Sequence, residues 1–207
     1  MYQAVADVAH HIVTEFFEKT RIDIRSWTPG PERAIVERRV REKLAIWDFG
    51  DVPMKKCERY VVASINMAIT TFGHNHIDTQ VHIALYTVLG LCIDDLEIDP
   101  IILQEFVPRL YSGRRQLHPI LDYLVENLQQ MPEYFPPYTA SAIFAATVQG
   151  INSTWFDKQT EDLSLSADSL PFVLYKRARN SLGEVYGFYV WDKANFPDVT
   201  MHIQVIA

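Results

Sequence analysis

From residue 2 to beyond residue 190, apolar residues recur at spacings of three and four, while the apolar and polar alternation of half-buried strands is nearly absent. That period belongs to helices with one buried stripe. Val5, Val8, Ile12, Val13, Phe16 and Phe17 form such a stripe over 2–19. Thr28, Pro29, Gly30 and Pro31 interrupt it. Over 34–47 the pattern returns, with Ile35, Val36, Val40, Leu44 and Trp47 inside and Arg33, Arg38, Arg39 and Arg41 on an outer, solvated face. After Gly50, Asp51, Val52 and Pro53, further helices are predicted over 54–72, 77–95, 100–111, 117–130, 136–158 and 169–193. The expected fold is an all-α bundle with short connections. No repeat, low-complexity tract or linker divides the sequence, so 1–207 reads as a single domain.

With 48% apolar and 22% charged residues, the chain buries a substantial core. Its 26 acidic against 19 basic residues give a net charge of −7, which disfavours binding to nucleic acid or anionic membrane. Cys57 and Cys92 sit inside apolar periodic segments and read as buried, reduced thiols. No basic stretch followed by an apolar run opens the chain, and no uncharged apolar segment reaches the ~18 residues of a membrane span. A cytoplasmic location is expected.

Residues 82–99, HIALYTVLGLCIDDLEID, form a long apolar helix that ends in four carboxylates: Asp94, Asp95, Glu97 and Asp99. Acids there face the negative end of the helix dipole, at a cost of a few tenths to ~1 kcal/mol each, and adjacent Asp94 and Asp95 repel one another. A hard divalent cation such as Mg²⁺ would offset that charge, since it takes one or two carboxylates and completes its shell with water and phosphate oxygens. A polar helix end exposed to water is the simpler alternative. Asp99, ahead of Pro100, also fits a helix N-cap. A calcium loop counted from Asp95 would put Pro100 at the glycine position and Phe106 at the bidentate glutamate, which excludes it. His74 and His76 have no further spaced ligand and read as turn residues.

This helix is followed in order by GRRQLHP at 113–119, YKRARNSLG at 175–183 and WDKANF at 191–196. Together they resemble the class I terpenoid cyclases of the fungal trichodiene synthase type; residues 1–79 share only helical character with them. The resemblance implies a class I terpenoid synthase helical barrel whose apolar interior folds an isoprenoid chain. It implies that Asp94 binds Mg²⁺ and that Asp95 supports the diphosphate-bound state. The third acid of the family pattern D-D-x-x-D falls on Ile98, with Glu97 and Asp99 as neighbours that could substitute. The diphosphate arginine falls on Arg177, or on Arg179 if the register slips. Gly113 is read as a helix end, Arg114 and His118 as fold contacts, and Thr87, Gly90, Leu91, Gly150 and Ile151 as wall or core residues.

The implied reaction is Mg²⁺-dependent ionisation and cyclisation of an allylic isoprenoid diphosphate, farnesyl diphosphate by family. The second metal motif of such cyclases, N/D-D-x-x-S/T-x-x-x-E, is absent: Asn152, Asn180 and Asn195 are not followed by the required residues. By family spacing it falls beyond Ala207, and the apolar stretch 201–207 reads as the interior of an unfinished element. Residues 1–207 are therefore expected to be a partial terpenoid synthase domain, inactive alone, whose open side favours self-association, such as a homodimer. The alternative is a non-catalytic helical protein derived from that fold, binding a partner or an isoprenoid ligand.

Overall fold

The computed structural model describes residues 2–21, 30–50, 54–95 and 98–197. The predicted apolar run at 201–207 lies outside them. Among the described residues the regular structure is helical throughout and no strand is present. They form two compact units that divide between residues 33 and 34.

The first unit contains α1 (Tyr2–Thr20). Lys19 pairs with Glu15 one turn earlier at 2.7 Å, and the hydroxyls of Thr14 and Thr20 donate to the carbonyls of His10 and Phe16. Arg21, at φ 56°, leaves the helix in the left-handed region.

The second unit takes in α2 (Glu32–Leu44) from Ala34 onward, then α3 (Met54–Thr71), α4 (Ile77–Asp95), α5 (Pro100–Gln104) and α6 (Phe106–Tyr111). It continues with α7 (Pro119–Tyr134), α8 (Pro137–Gln159), α9 (Leu170–Arg179) and α10 (Leu182–Phe188). α4 lies between α3 and α7, and α8 packs on α5, α7, α9 and α10. From Thr79 to Leu89 every residue of α4 is buried, as expected of a helix without a solvent face. Fully buried side chains such as Ile83, Val88 and Leu89 contribute about 1.5–3 kcal/mol each. Two of its buried polar groups are tied locally: Thr87 donates to the Ile83 carbonyl, and Gln80 to those of Gly73 and Asn75. Cys57 on α3 and Cys92 on α4 are buried free thiols, and burial pushes the Cys92 thiol up.

Two predicted helices are each divided in two. The stretch 100–111 breaks at Glu105, because Pro108 has no N–H to donate to the carbonyl of Gln104 and its ring crowds that carbonyl. The proline is tolerated in the first turn of α6. The stretch 169–193 breaks at Asn180 and Ser181 and leaves the helical conformation after Phe188. Asn180 caps α9 at ψ 54°, and the Ser181 hydroxyl donates to the Ala146 carbonyl of α8 at 2.7 Å. Gly150 permits this approach, since a Cβ there would lie 3.1 Å from Leu182 Cδ2.

At 117–130 the helix instead starts at Pro119, where His118 Nδ1 accepts from Ile120 N, and runs through Pro132 to Tyr134. Tyr134 is held by its ring stacking on His82 at 4.3 Å. Gly113, at φ 65°, ends α6, and Arg114 donates to the Ser112 hydroxyl. Of the arginines on α2, Arg41 pairs with Glu37 and Glu58, and Arg39 with Asp78.

Candidate functional site

Asp94 and Asp95 form the last turn of α4, where the fully buried helix emerges into solvent and both become exposed. Thr87 and Leu91 lie behind Asp94 on the same face, two turns and one turn back. Gly90 opens onto space: a Cβ there would meet nothing within 4 Å. Partial burial holds the Asp94 carboxyl above its ordinary range, and repulsion from Asp95 and Asp157 adds to this while Lys158 opposes it. Asp95 is paired with Arg59 of α3 at 3.7 Å. The Arg59 guanidinium also donates to the Tyr60 hydroxyl and lies 4.6 Å from that ring's centroid.

The remaining acids of the motif diverge. Ile98 is buried in the core, so the position of the family's third acid points inward. Asp99 caps α5, its Oδ1 accepting from Ile101 N at 2.9 Å with Pro100 in the first turn. Glu97 lies outside the described residues. Among the described residues no group of three or more His, Cys, Asp or Glu side chains is gathered into a metal-binding cluster, which leaves Asp94 and Asp95 as a pair. His74 and His76 stand in the turn before α4, His74 Nε2 bonding to the Val190 carbonyl and His76 Nδ1 pairing with Asp78.

The two arginines at the end of α9 face different spaces, as their separation of two residues on a helix dictates. Arg177 lines a cavity of about 540 Å³ with Asp157, Leu165, Val173, Lys176, Asn180 and Gly183. Arg179 lies over the Tyr175 ring at 5.2 Å and borders a second cavity of about 570 Å³ beside Trp155 and Phe156. Among the described residues neither arginine forms an ion pair, with Asp94 and Asp95 or with any other acid. Asp157 connects the two regions, because it lines the Arg177 cavity and also acts electrostatically on Asp94.

Sequence reasoning overlooked Arg59, Asp157, Lys158, Lys176 and Tyr186. Lys176 lies within the stretch 175–183, and Asp157 and Lys158 are charged residues closing an otherwise apolar helix, which is the one signal available for them. Tyr186 on α10 donates to the Thr87 hydroxyl at 3.4 Å, behind the aspartates. Gly150 and Ile151 belong to the core. Among the described residues no helix is long and apolar enough to cross a membrane.

Residues 49–207 match the family described as trichodiene synthase (TRI5). Monoterpene synthase 25 of Postia placenta is 30% identical over 198 residues, 94% of this chain and 58% of its own length. Terpene synthase 29 of the same fungus is 28% identical over 206 residues, 98% of this chain and 58% of its own length. Terpene synthase BipA of Cochliobolus sativus is 25% identical over 180 residues, 86% of this chain and 54% of its own length. The chain thus spans between half and three fifths of the length of these curated relatives.

Proposed function

Because the chain belongs to the trichodiene synthase family, we propose that the protein is a Mg²⁺-dependent sesquiterpene cyclase acting on farnesyl diphosphate, with residues 1–207 contributing part of one terpenoid synthase domain. The observation that carries the reading is the position of Asp157. It lines the cationic cavity of Arg177, and its charge helps to raise the exposed Asp94 carboxyl, so the acidic helix end is within electrostatic reach of that cavity.

The residues present suit a hard cation. Asp94 and Asp95 are exposed at the negative end of the α4 dipole, and Asp94 is disfavoured as an anion by its surroundings. Asp94 would hold the metal, with Asp95 supporting it from its pair with Arg59. Asp99, engaged as a helix cap, is the weaker candidate. When bound, Mg²⁺ supplies neutralisation of the diphosphate oxygens.

The protein's own groups do the rest. Arg177 meets the diphosphate and stabilises the negative charge that grows on it as the allylic C–O bond breaks. The half-buried apolar face of α4 behind Asp94, with Leu91 and Gly90, offers inert walls along which an isoprenoid chain can fold out of water. There the Tyr186 hydroxyl donates to that of Thr87, which itself donates to the Ile83 carbonyl, so both protons are engaged.

Calorimetric titration of inorganic pyrophosphate into the protein tests the reading. Binding is expected to require Mg²⁺ and to be lost in Asp94→Ala; Mg²⁺-independent binding that survives this substitution would overturn it. Residues 1–207 contain no N/D-D-x-x-S/T-x-x-x-E motif, so this polypeptide alone is expected to convert little farnesyl diphosphate. Buried Ile98, standing where the family pattern has its third acid, favours a second reading, a non-catalytic derivative of the fold, for which Asp94→Ala has little effect on partner binding.

A further inference from the structure

Lys176 precedes Arg177 in sequence, yet its charge is used differently. Its Nζ lies 2.6 Å from Asp157 Oδ1 and donates to Thr160 Oγ1 at 2.9 Å. The ammonium stands 5.6 Å from the Phe172 ring centroid, and 24% of the lysine side chain is exposed, against 45% for that of Asp157. Lys176, Asp157 and Arg177 all line the same cavity. The cavity therefore holds two cations, one neutralised and one not, and a carboxylate that disfavours an anionic occupant.

An ion pair with this much exposure contributes little to stability, so holding α9 against α8 is a poor account of it. Besides Asp157, the Lys176 head group has the Phe172 ring and the Thr160 hydroxyl as neighbours at the cavity edge. Asp157, for its part, also helps to raise the Asp94 carboxyl, an effect that Lys158 opposes.

We propose that Lys176 is a second diphosphate-binding residue, neutralised by Asp157 while the cavity is empty and transferred to the diphosphate when it is filled. The inference rests on the reading that the cavity beside Arg177 receives the diphosphate. On filling, diphosphate oxygens replace the Asp157 carboxylate on Nζ, and no bond other than hydrogen bonds and ion pairs is exchanged. A charge-assisted contact of this kind is strong enough to read out in affinity.

The test is titration of inorganic pyrophosphate into the protein, with and without Mg²⁺, each variant first shown to be folded by its circular dichroism melt. Lys176→Gln should weaken binding by about tenfold or more, and Lys176→Arg should restore it to within about threefold. Asp157→Asn keeps the side-chain shape, removes the repelling charge and frees the ammonium, so it should tighten binding in the presence of Mg²⁺ by about threefold or more. A purely structural pair predicts the opposite for Asp157→Asn: lower melting temperature and no gain in affinity. Arg177→Gln separates the two levels of the argument. If Arg177→Gln loses binding while Lys176→Gln matches the unmodified protein, or Asp157→Asn fails to tighten it, the role of Lys176 is overturned and the site reading stands. If the unmodified protein does not bind pyrophosphate, or Arg177→Gln binds it equally well, the site reading fails and the inference with it.

Discussion

Asp192 Oδ2 accepts the backbone N–H of His76 at 2.8 Å, joining the loop after α10 to the turn that starts α4. Asp192 is fully buried, and its Oδ1 accepts from Asn195 N. Asn195 in turn donates to the His74 carbonyl, and His74 Nε2 bonds to the Val190 carbonyl. The WDKANF stretch is thus a clamp on the α3–α4 turn. Asp192→Ala leaves two N–H groups without this acceptor and is expected to cost roughly 3 kcal/mol in urea unfolding. Asp192→Asn keeps an acceptor oxygen and should cost less. Equal stability of all three proteins would show that the clamp is dispensable.

Asp94 stands where function and stability are expected to oppose each other. Its carboxylate faces the negative helix end and the charges of Asp95 and Asp157, and among the described residues it has no ion-pair partner. Asp94→Ala should therefore leave the fold as stable or stabilise it by a few tenths to ~1 kcal/mol, while removing Mg²⁺-dependent pyrophosphate binding. Thermal unfolding and calorimetry on the same samples read the two effects separately. A large loss of stability would assign Asp94 a structural role instead.

The helices were legible in the sequence wherever one face had to be buried. Residues 82–93 could form little else than a buried helix, and the predicted limits 77–95 coincide with α4. Breaks decided by distant partners were not legible. Asn180 and Ser181 look like ordinary polar residues on a helix, and what turns the chain there is the bond from Ser181 to Ala146, 35 residues away. The candidate site divides in the same way. Asp94 and Asp95 announce themselves by adjacency at a helix end, and Arg177 by the stretch around it. Arg59 and Asp157 meet their partners across helices, so no spacing in the sequence marks them.

Gly90 and Gly150 are both helical, but they should respond to substitution with opposite sign. A Cβ at Gly90 meets nothing within 4 Å, so Gly90→Ala should gain up to about 1 kcal/mol in denaturant unfolding from helix propensity alone. At Gly150 the added atom falls 3.1 Å from Leu182 Cδ2, and Gly150→Val should lose about 1–3 kcal/mol by overpacking the α8–α10 contact. A destabilised Gly90→Ala would place an unseen neighbour against that face of α4.

His82 makes the second unit acid-sensitive. The ring is buried against Tyr134 and beside Asn127, and burial depresses its pKa from 6.5 to about 3, so the folded state keeps it neutral. Unfolding returns it to water, where it takes up a proton below about pH 6.5. Between those two values the unfolded state binds more protons, and stability must rise with pH. Its contribution is therefore fully present above pH 6.5 and is lost progressively as the pH falls toward 3. From pH 7 to pH 5 the expected loss from this group is roughly 2 kcal/mol, at 1.36 kcal/mol per pH unit below its unfolded pKa. His82→Phe keeps a ring to stack on Tyr134 and removes the titration. Urea midpoints measured at both pH values should fall less for His82→Phe than for the unmodified protein. An identical fall in the two proteins would transfer the acid sensitivity to other groups.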